Sequence, residues 1–345
     1  MYIMKIIIIG AGWYGLHSYI FLRSNLKDGD IKILEKDTIF FNNSSNFNQN
    51  RLHLGYHYPR SYKTRKLCLN GYKKFINEYR EVIDFIDFNY YLIANNSFID
   101  YDTYMSIFSG NYYHHNIIKN NTFTNIDGNI INTKEKIINS NKVKKLLKKK
   151  INKNDLTLGF EVKKISRKDN KIVINDDLEC DVLIDCTYNQ LNLSKKKYTY
   201  ELTISLLYDR INFDEHFESI TVMDGPFFSL FPRDISKKTY TLTHVTYTPL
   251  IKSNKIEDIE KYVLQKDTVK NIKKKMEETV LNIYPNFKKH FCYKSYFTSY
   301  KCKVNSTNDS RECIIEENNN IINVNCGKII GIFEFEDYLK NRFKL

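Results

Sequence analysis

Apolar positions along the chain fall into short runs and helical stripes. Residues 3–9, Ile-Met-Lys-Ile-Ile-Ile-Ile, predict a buried strand, and 13–26 predict a helix. Between them lies Gly10-Ala11-Gly12-Trp13-Tyr14-Gly15. A second strand is predicted from Ile31 to Leu34 and ends at Glu35, twenty residues past Gly15. Residues 61–80 carry Leu67, Gly71, Phe75 and Tyr79 at helical spacing. Residues 141–151 set Val143, Leu146, Leu147 and Ile151 on one face against lysines on the other, with Ser140 as N-cap. Strands are expected near 159–165 and 171–175, around a hairpin at Asp169-Asn170. Asp181 to Thr187 reads as another buried strand, a return to a parallel sheet.

The period then changes. Over 198–248, alternation such as Thr241, Thr243, Val245 and Tyr247 against Tyr240, Leu242, His244 and Thr246 predicts an antiparallel sheet. Residues 256–284 predict a helix stopped by Pro285, and the tail predicts a strand at 321–325 and a final helix. Residues 81–135, rich in Tyr, Phe, Asn and Asp, read as the first part of a second domain. The expected class is α/β: a Rossmann-like nucleotide domain over 1–80, 140–194 and 301–345, with an inserted antiparallel-sheet substrate domain over 81–139 and 195–300.

The glycine motif carries chemistry because each part has a physical task. Gly10 permits the tight turn, Gly12 lets the backbone approach a pyrophosphate, and Gly15 lets helix and strand pack closely. The helix N-terminus offers free N–H groups and partial positive charge to phosphates. Glu35 can accept from ribose hydroxyls and repels a 2′-phosphate, which disfavours NADP.

Composition narrows the class only a little. At 345 residues the chain fits two domains. The net charge of +13 is spread over scattered lysines, so solvation accounts for most of it and a nucleic-acid partner is open but not favoured. Seven cysteines, an odd number without Cys-x-x-Cys, suggest neither a disulfide framework nor a zinc cassette. They fit a reducing, cytoplasmic setting. His114-His115 reads as a loop feature, so no metal is expected. No apolar run is long enough to span a membrane, and the N-terminal run belongs to the fold rather than to a signal peptide. Oligomeric state is not legible.

A second motif lies in Gln49-Asn-Arg-Leu-His-Leu-Gly-Tyr-His-Tyr58. If extended, Arg51, His53, Gly55 and His57 share one face, and Leu52, Leu54, Tyr56 and Tyr58 the other. This suits a backbone that passes close to a flat ligand while its back packs into a core.

Together these motifs resemble the D-amino-acid-oxidase-like FAD-dependent oxidoreductases, of the glycerol-3-phosphate and L-2-hydroxyglutarate dehydrogenase type. Asn48, His53, Gly55 and Tyr58 fit that group's Asn-x-x-x-x-His-x-Gly-x-x-Tyr segment. The resemblance implies FAD as cofactor, with Gly10, Gly12, Trp13, Tyr14, Gly15, Glu35, Ser44, Ser45, Arg51, Leu52 and His53 in its N-terminal binding segments. Val162 would meet adenine through its backbone. Cys186, Thr187, Gly327 and Lys328 would complete the site. Trp13, Tyr14 and the Thr187-Tyr188-Asn189 turn depart from the family pattern, which has smaller residues at the first two and commonly Thr-Gly at the third.

The implied activity is oxidation of a small anionic CH–OH or CH–NH substrate by hydride transfer to flavin N5. His53 or His57 would act as base, Lys328 would stabilise charge on the flavin, and Arg311 would anchor the substrate. His53 is the candidate for any covalent flavin link. Asp224 to Ser229 and His244 are expected on the sheet face toward the flavin. A flavin-dependent sugar- or tRNA-modifying enzyme, a basic nucleic-acid-binding protein, and a degenerate fold that has lost its cofactor remain alternatives.

Overall fold

A computed structural model describes residues 3–110, 112–305 and 312–345. The chain forms two compact units: residues 1–47, 141–200 and 301–345, and residues 48–140 and 201–300. Residues 48–80, expected with the nucleotide domain, group with the second unit. Arg51–Leu52 pairs there with Lys136–Ile138, which also pairs with Ile83–Asp84.

The first unit is built on a six-stranded sheet. Its order is Ile314–Asn318, Ile321–Asn325, Val182–Asp185, Lys5–Ile9, Asp30–Glu35, Leu156–Leu158. All neighbours are parallel except the terminal hairpin of Ile314–Asn318 with Ile321–Asn325. The apolar run is continuous because the strand is covered on both faces. Ile7 and Ile9 pack with Val162, Ile172, Ile174, Cys180 and Leu183 on one side, while Ile6 and Ile8, fully buried, point to the other. Helix Trp13–Asn25 and the C-terminal helix Ile332–Phe343 touch through His17 and Phe333, whose ring centroids are 5.4 Å apart.

A small antiparallel meander of Ile165–Lys168, Lys171–Ile174 and Leu178–Cys180 completes this unit. The turn at Asp169-Asn170 has both φ angles positive, as a tight hairpin requires. Its first strand begins at Ile165, later than the sequence reading. The N–H groups of Lys163 and Lys164 are taken by the Asn175 side chain instead of a ladder.

The second unit is dominated by a nine-stranded sheet, mostly antiparallel, with one parallel pair, Asn89–Ala94 beside Ser219–Met223. Its two faces differ sharply. Tyr90, Leu92, Ile220, Val222, Leu230 and Leu242 pack against Val269, Met276, Val280 and Ile283 of helix Lys266–Ile283. That helix is separate from Ile256–Glu260, not one run over 256–284. Val263, in the break, is 72% exposed, so no apolar stripe carries the helix through. The opposite face is polar yet buried, with Asn89, Thr133, Ser219, Thr221, Ser229 and Thr241 all at most 5% exposed. Helix Tyr62–Tyr79 buries Leu67, Gly71, Phe75 and Tyr79, and Ser61 caps it by accepting from the Thr64 N–H.

His244 lies on the sheet face opposite these polar residues. It pairs with Phe228 and follows the register of Leu242, so it faces the apolar layer. Its Nδ1 accepts from Thr246 N–H at 3.1 Å, and its ring stacks on Tyr247. Burial pulls its pKa from 6.5 down to about 4.

Two outcomes follow from this packing. Ile8→Ala should lower unfolding stability in urea by ~2–5 kcal/mol. The His244 contribution is present above the unfolded value of 6.5 and is lost as pH falls toward about 4, because the unfolded chain then binds the extra proton. His244→Asn should flatten the stability curve over that window, and an unchanged slope would refute this.

Candidate active site

In the first unit the strand–turn–helix forms a cradle that only glycines fit. Gly10 has φ +98°, and a Cβ on it would lie 2.8 Å from the Cys186 carbonyl oxygen. A Cβ on Gly12 would lie 2.6 Å from Ser45 Oγ, and one on Gly15 only 1.9 Å from the Gly10 carbonyl oxygen. The helix begins at Trp13 with no side-chain cap from Gly12 and no acid in its first turn. Ser45 Oγ accepts from Trp13 N–H at 3.0 Å. Glu35 is tied to the same turn, accepting from Ala11 N–H at 2.7 Å and from Asp37 N–H at 3.0 Å. Each oxygen keeps a lone pair for a hydroxyl donor.

The family departures have physical explanations. The Trp13 ring packs edge-on against Phe41. Tyr14 stacks loosely on Phe335 and donates to the Lys328 carbonyl at 2.7 Å. Burial pushes its phenol pKa well up. Both large side chains are thus taken up in packing. After strand Val182–Asp185, Tyr188 and Asn189 adopt φ of +62° and +60°, the backbone state that favours glycine. The strained turn is pinned by Asn189 Nδ2 donating to Tyr200 and by the Tyr200 hydroxyl donating to the Asn189 carbonyl. Asp185, fully buried, accepts from Thr187 N–H and from Asn323 Nδ2. Burial outweighs those bonds and raises its pKa. Val162 is buried, and among the described residues its backbone enters no hydrogen bond. Gly327 is exposed and Lys328 half-buried, just before the turn into the C-terminal helix. Arg311 lies outside the described residues.

In the second unit, the motif over residues 49–58 is extended only at Arg51–Leu52. The chain then turns at Gly55, whose φ is +106°. Residues 51–58 are therefore not extended throughout. The turn instead gathers His53, His57 and Tyr58, with ring centroids 5.4–5.7 Å apart. Leu52, Leu54 and Tyr56 are buried. The Arg51 side chain is spoken for: it donates to Tyr91 and Ser229, lies 3.5 Å from Glu135 and covers the Phe231 ring. Any cofactor contact by Arg51 would therefore come from its backbone.

Glu135 is a candidate site residue that the sequence pattern does not reveal. It is fully buried, accepts from Leu54 N–H and Tyr91 O–H, and lies 3.6 Å from His53 Nδ1. Burial opposes its charge, but His53, Arg51 and Tyr91 together hold its pKa below the usual range. A lone Glu between Lys134 and Lys136 carries no periodic signal.

The fold is that of the D-amino-acid-oxidase-like FAD-dependent oxidoreductases. The chain superposes on L-alpha-glycerophosphate oxidase from Mycoplasma pneumoniae with TM-score 0.71 and 14% identity, covering 99% of this chain and 94% of that one. For glycine oxidase from Geobacillus kaustophilus the values are 0.69, 10%, 95% and 91%. In sequence it is similar to the FAD-dependent monooxygenase FPY4 of Fusarium mangiferae, at 28% identity over 94% of this chain and 87% of that protein. No protein-family profile matches it.

A Cβ on Gly10 or Gly15 would run into the chain's own backbone, so the turn closes this tightly only with glycine, as a dinucleotide-binding turn requires. Gly12→Val should abolish FAD retention by the purified protein, and full retention would refute the placement. Glu135→Ala leaves Arg51 buried without its counter-charge and should destabilise the fold by ~3–5 kcal/mol in chemical denaturation.

Proposed function

We propose that this chain oxidises the CH–OH group of a small polar, anionic substrate using bound FAD. The observation that carries this reading is the glycine cradle at the helix N-terminus, with Glu35 fixed beside it. An FAD-dependent oxidoreductase is also the class of the relative that matches nearly the whole chain. In this reading Gly10, Gly12, Gly15, Ser44, Ser45 and the helix N-terminus hold the pyrophosphate. Glu35 takes ribose hydroxyls and the Val162 backbone takes adenine. Cys186, Thr187, Gly327 and Lys328 serve the rest of the cofactor. FAD, when bound, supplies the hydride acceptor.

His53 and the groups around it are the acid–base candidates. An alcohol must lose its hydroxyl proton as hydride leaves carbon, and the histidine pair is suited to take it. His53 takes the proton, since imidazole titrates near neutrality. Glu135 faces the imidazolium that results, and Arg51 and Tyr91 keep Glu135 ionised. His57 and Tyr58 border the His53 ring. Lys328 provides positive charge toward the reduced cofactor and Arg311 an anchor for the anionic group.

A monooxygenase is the second reading, favoured by the sequence relative. Anaerobic mixing with 2-hydroxy acids, polyol phosphates, sugars and amino acids separates the two. Loss of the visible flavin band on adding an alcohol alone supports the proposal. Loss only with NADH or NADPH, followed by oxygen insertion in air, would overturn it. His53→Asn should slow the bleaching by about 10²-fold or more while leaving FAD content unchanged. Lys328→Met should slow it with little loss of FAD binding.

A further inference from the structure

Two cysteines meet at the neck of the Gly327–Lys328 turn. In the hairpin of Ile314–Asn318 with Ile321–Asn325, Ile314 opposes Asn325 as the last ladder pair. The same register sets Cys313 opposite Cys326. The two thiols are close enough for each to shift the other's titration. Both also sit against Gly331: Cys313 Sγ lies 3.7 Å from its carbonyl oxygen, and Cys326 Sγ would be 2.6 Å from a Cβ placed there. Tyr14, from the glycine motif's own helix, reaches the same point, its hydroxyl 2.4 Å from that Cβ position. Cys326 is buried and Cys313 half-exposed, so the pair has an opening to solvent.

We propose that Cys313 and Cys326 form an oxidisable dithiol, converted by hydrogen peroxide to a disulfide that loosens the cofactor turn. One sulfur attacks the O–O bond, gaining an S–O bond and releasing one water. The second sulfur displaces that oxygen, which leaves as another water. Two thiol protons and two electrons pass to the two oxygens of peroxide, and one S–S bond forms. The contact with Cys313, with help from Tyr14 and the Lys328 backbone, favours the thiolate at Cys326. Other thiols lack this setting. Cys180 and Cys302 are pushed up to about 12 by burial, and Cys292 is exposed.

Bond formation draws the sulfurs to about 2.0 Å. That displaces Cys326 Sγ in its packing against Tyr14 and Gly331, one residue before Gly327. The chemical step rests on these residues alone. Its effect on FAD rests on the cofactor reading above, and an oxidase of that kind would supply the peroxide as its own product.

The test uses the full-length purified protein, reduced and then treated with hydrogen peroxide, alkylated in denaturant and digested with trypsin. Residues 312–328 contain both cysteines and no internal Lys or Arg, so one peptide reports the pair. The expected result is that this peptide loses two hydrogens and both alkylation sites before Cys292 reacts, and that dithiothreitol reverses it. FAD should leave the oxidised protein faster than the reduced one. Cys313→Ser, at the half-exposed position, should fold, retain FAD and lose the peroxide response. Both cysteines remaining alkylatable while Cys292 oxidises would overturn the dithiol. A disulfide that leaves FAD release unchanged would overturn the switch. A protein that binds no FAD would refute the cofactor reading and the switch, while the peptide would still decide the dithiol.

Discussion

The contact between Gly15 and the Gly10 carbonyl sets the geometry of the whole first unit. A side chain at Gly15 would need the 1.9 Å already filled by that oxygen, so the helix can settle on its strand only as glycine. Glycine costs the helix about 0.5–1 kcal/mol relative to alanine, a small sum beside the burial it permits. Once the helix is seated, its N-terminus stands at the carboxyl end of the parallel sheet. Ser45, Glu35 and the turn after Asp185 are then bonded to or packed on the same short segment. Ligands of open α/β sheets bind at that end for this reason.

The second unit depends on a different constraint, a buried charge pair. Arg51 and Glu135 are both removed from water, and such pairs seldom add net stability because desolvation offsets attraction. What the pair does provide is a fixed carboxylate beside His53, with its lone pairs engaged by Leu54 N–H and Tyr91. The sheet face beneath carries Ser229, Thr221 and Thr241, which satisfy one another and Gln49 through hydrogen bonds. A polar interior of this kind holds orientation only when its partners are complete.

The first unit was legible in the sequence because its signals are local. An isoleucine run, three glycines and Glu35 define strand, turn, helix and strand within 35 residues. The helix at Tyr62–Tyr79 and the hairpin at Asp169-Asn170 were legible for the same reason. The stretch around His53 was not, because alternation over 51–58 looks extended while Gly55 at positive φ reverses the chain. Glu135 was hidden because its role comes from residues more than forty positions away. Period two made His244 legible as a face-mate of Leu242, but it does not tell which face meets the helix layer. The glycine-like conformation of Tyr188 also has no local signature, since Tyr200 supplies its support.

The central claim is that the glycine cradle holds FAD. The most direct measurement is the visible absorption spectrum of the purified protein before and after denaturation. Flavin bands that accompany the folded protein and pass into the filtrate on denaturation are predicted. A colourless protein that also takes up no added FAD would contradict the account.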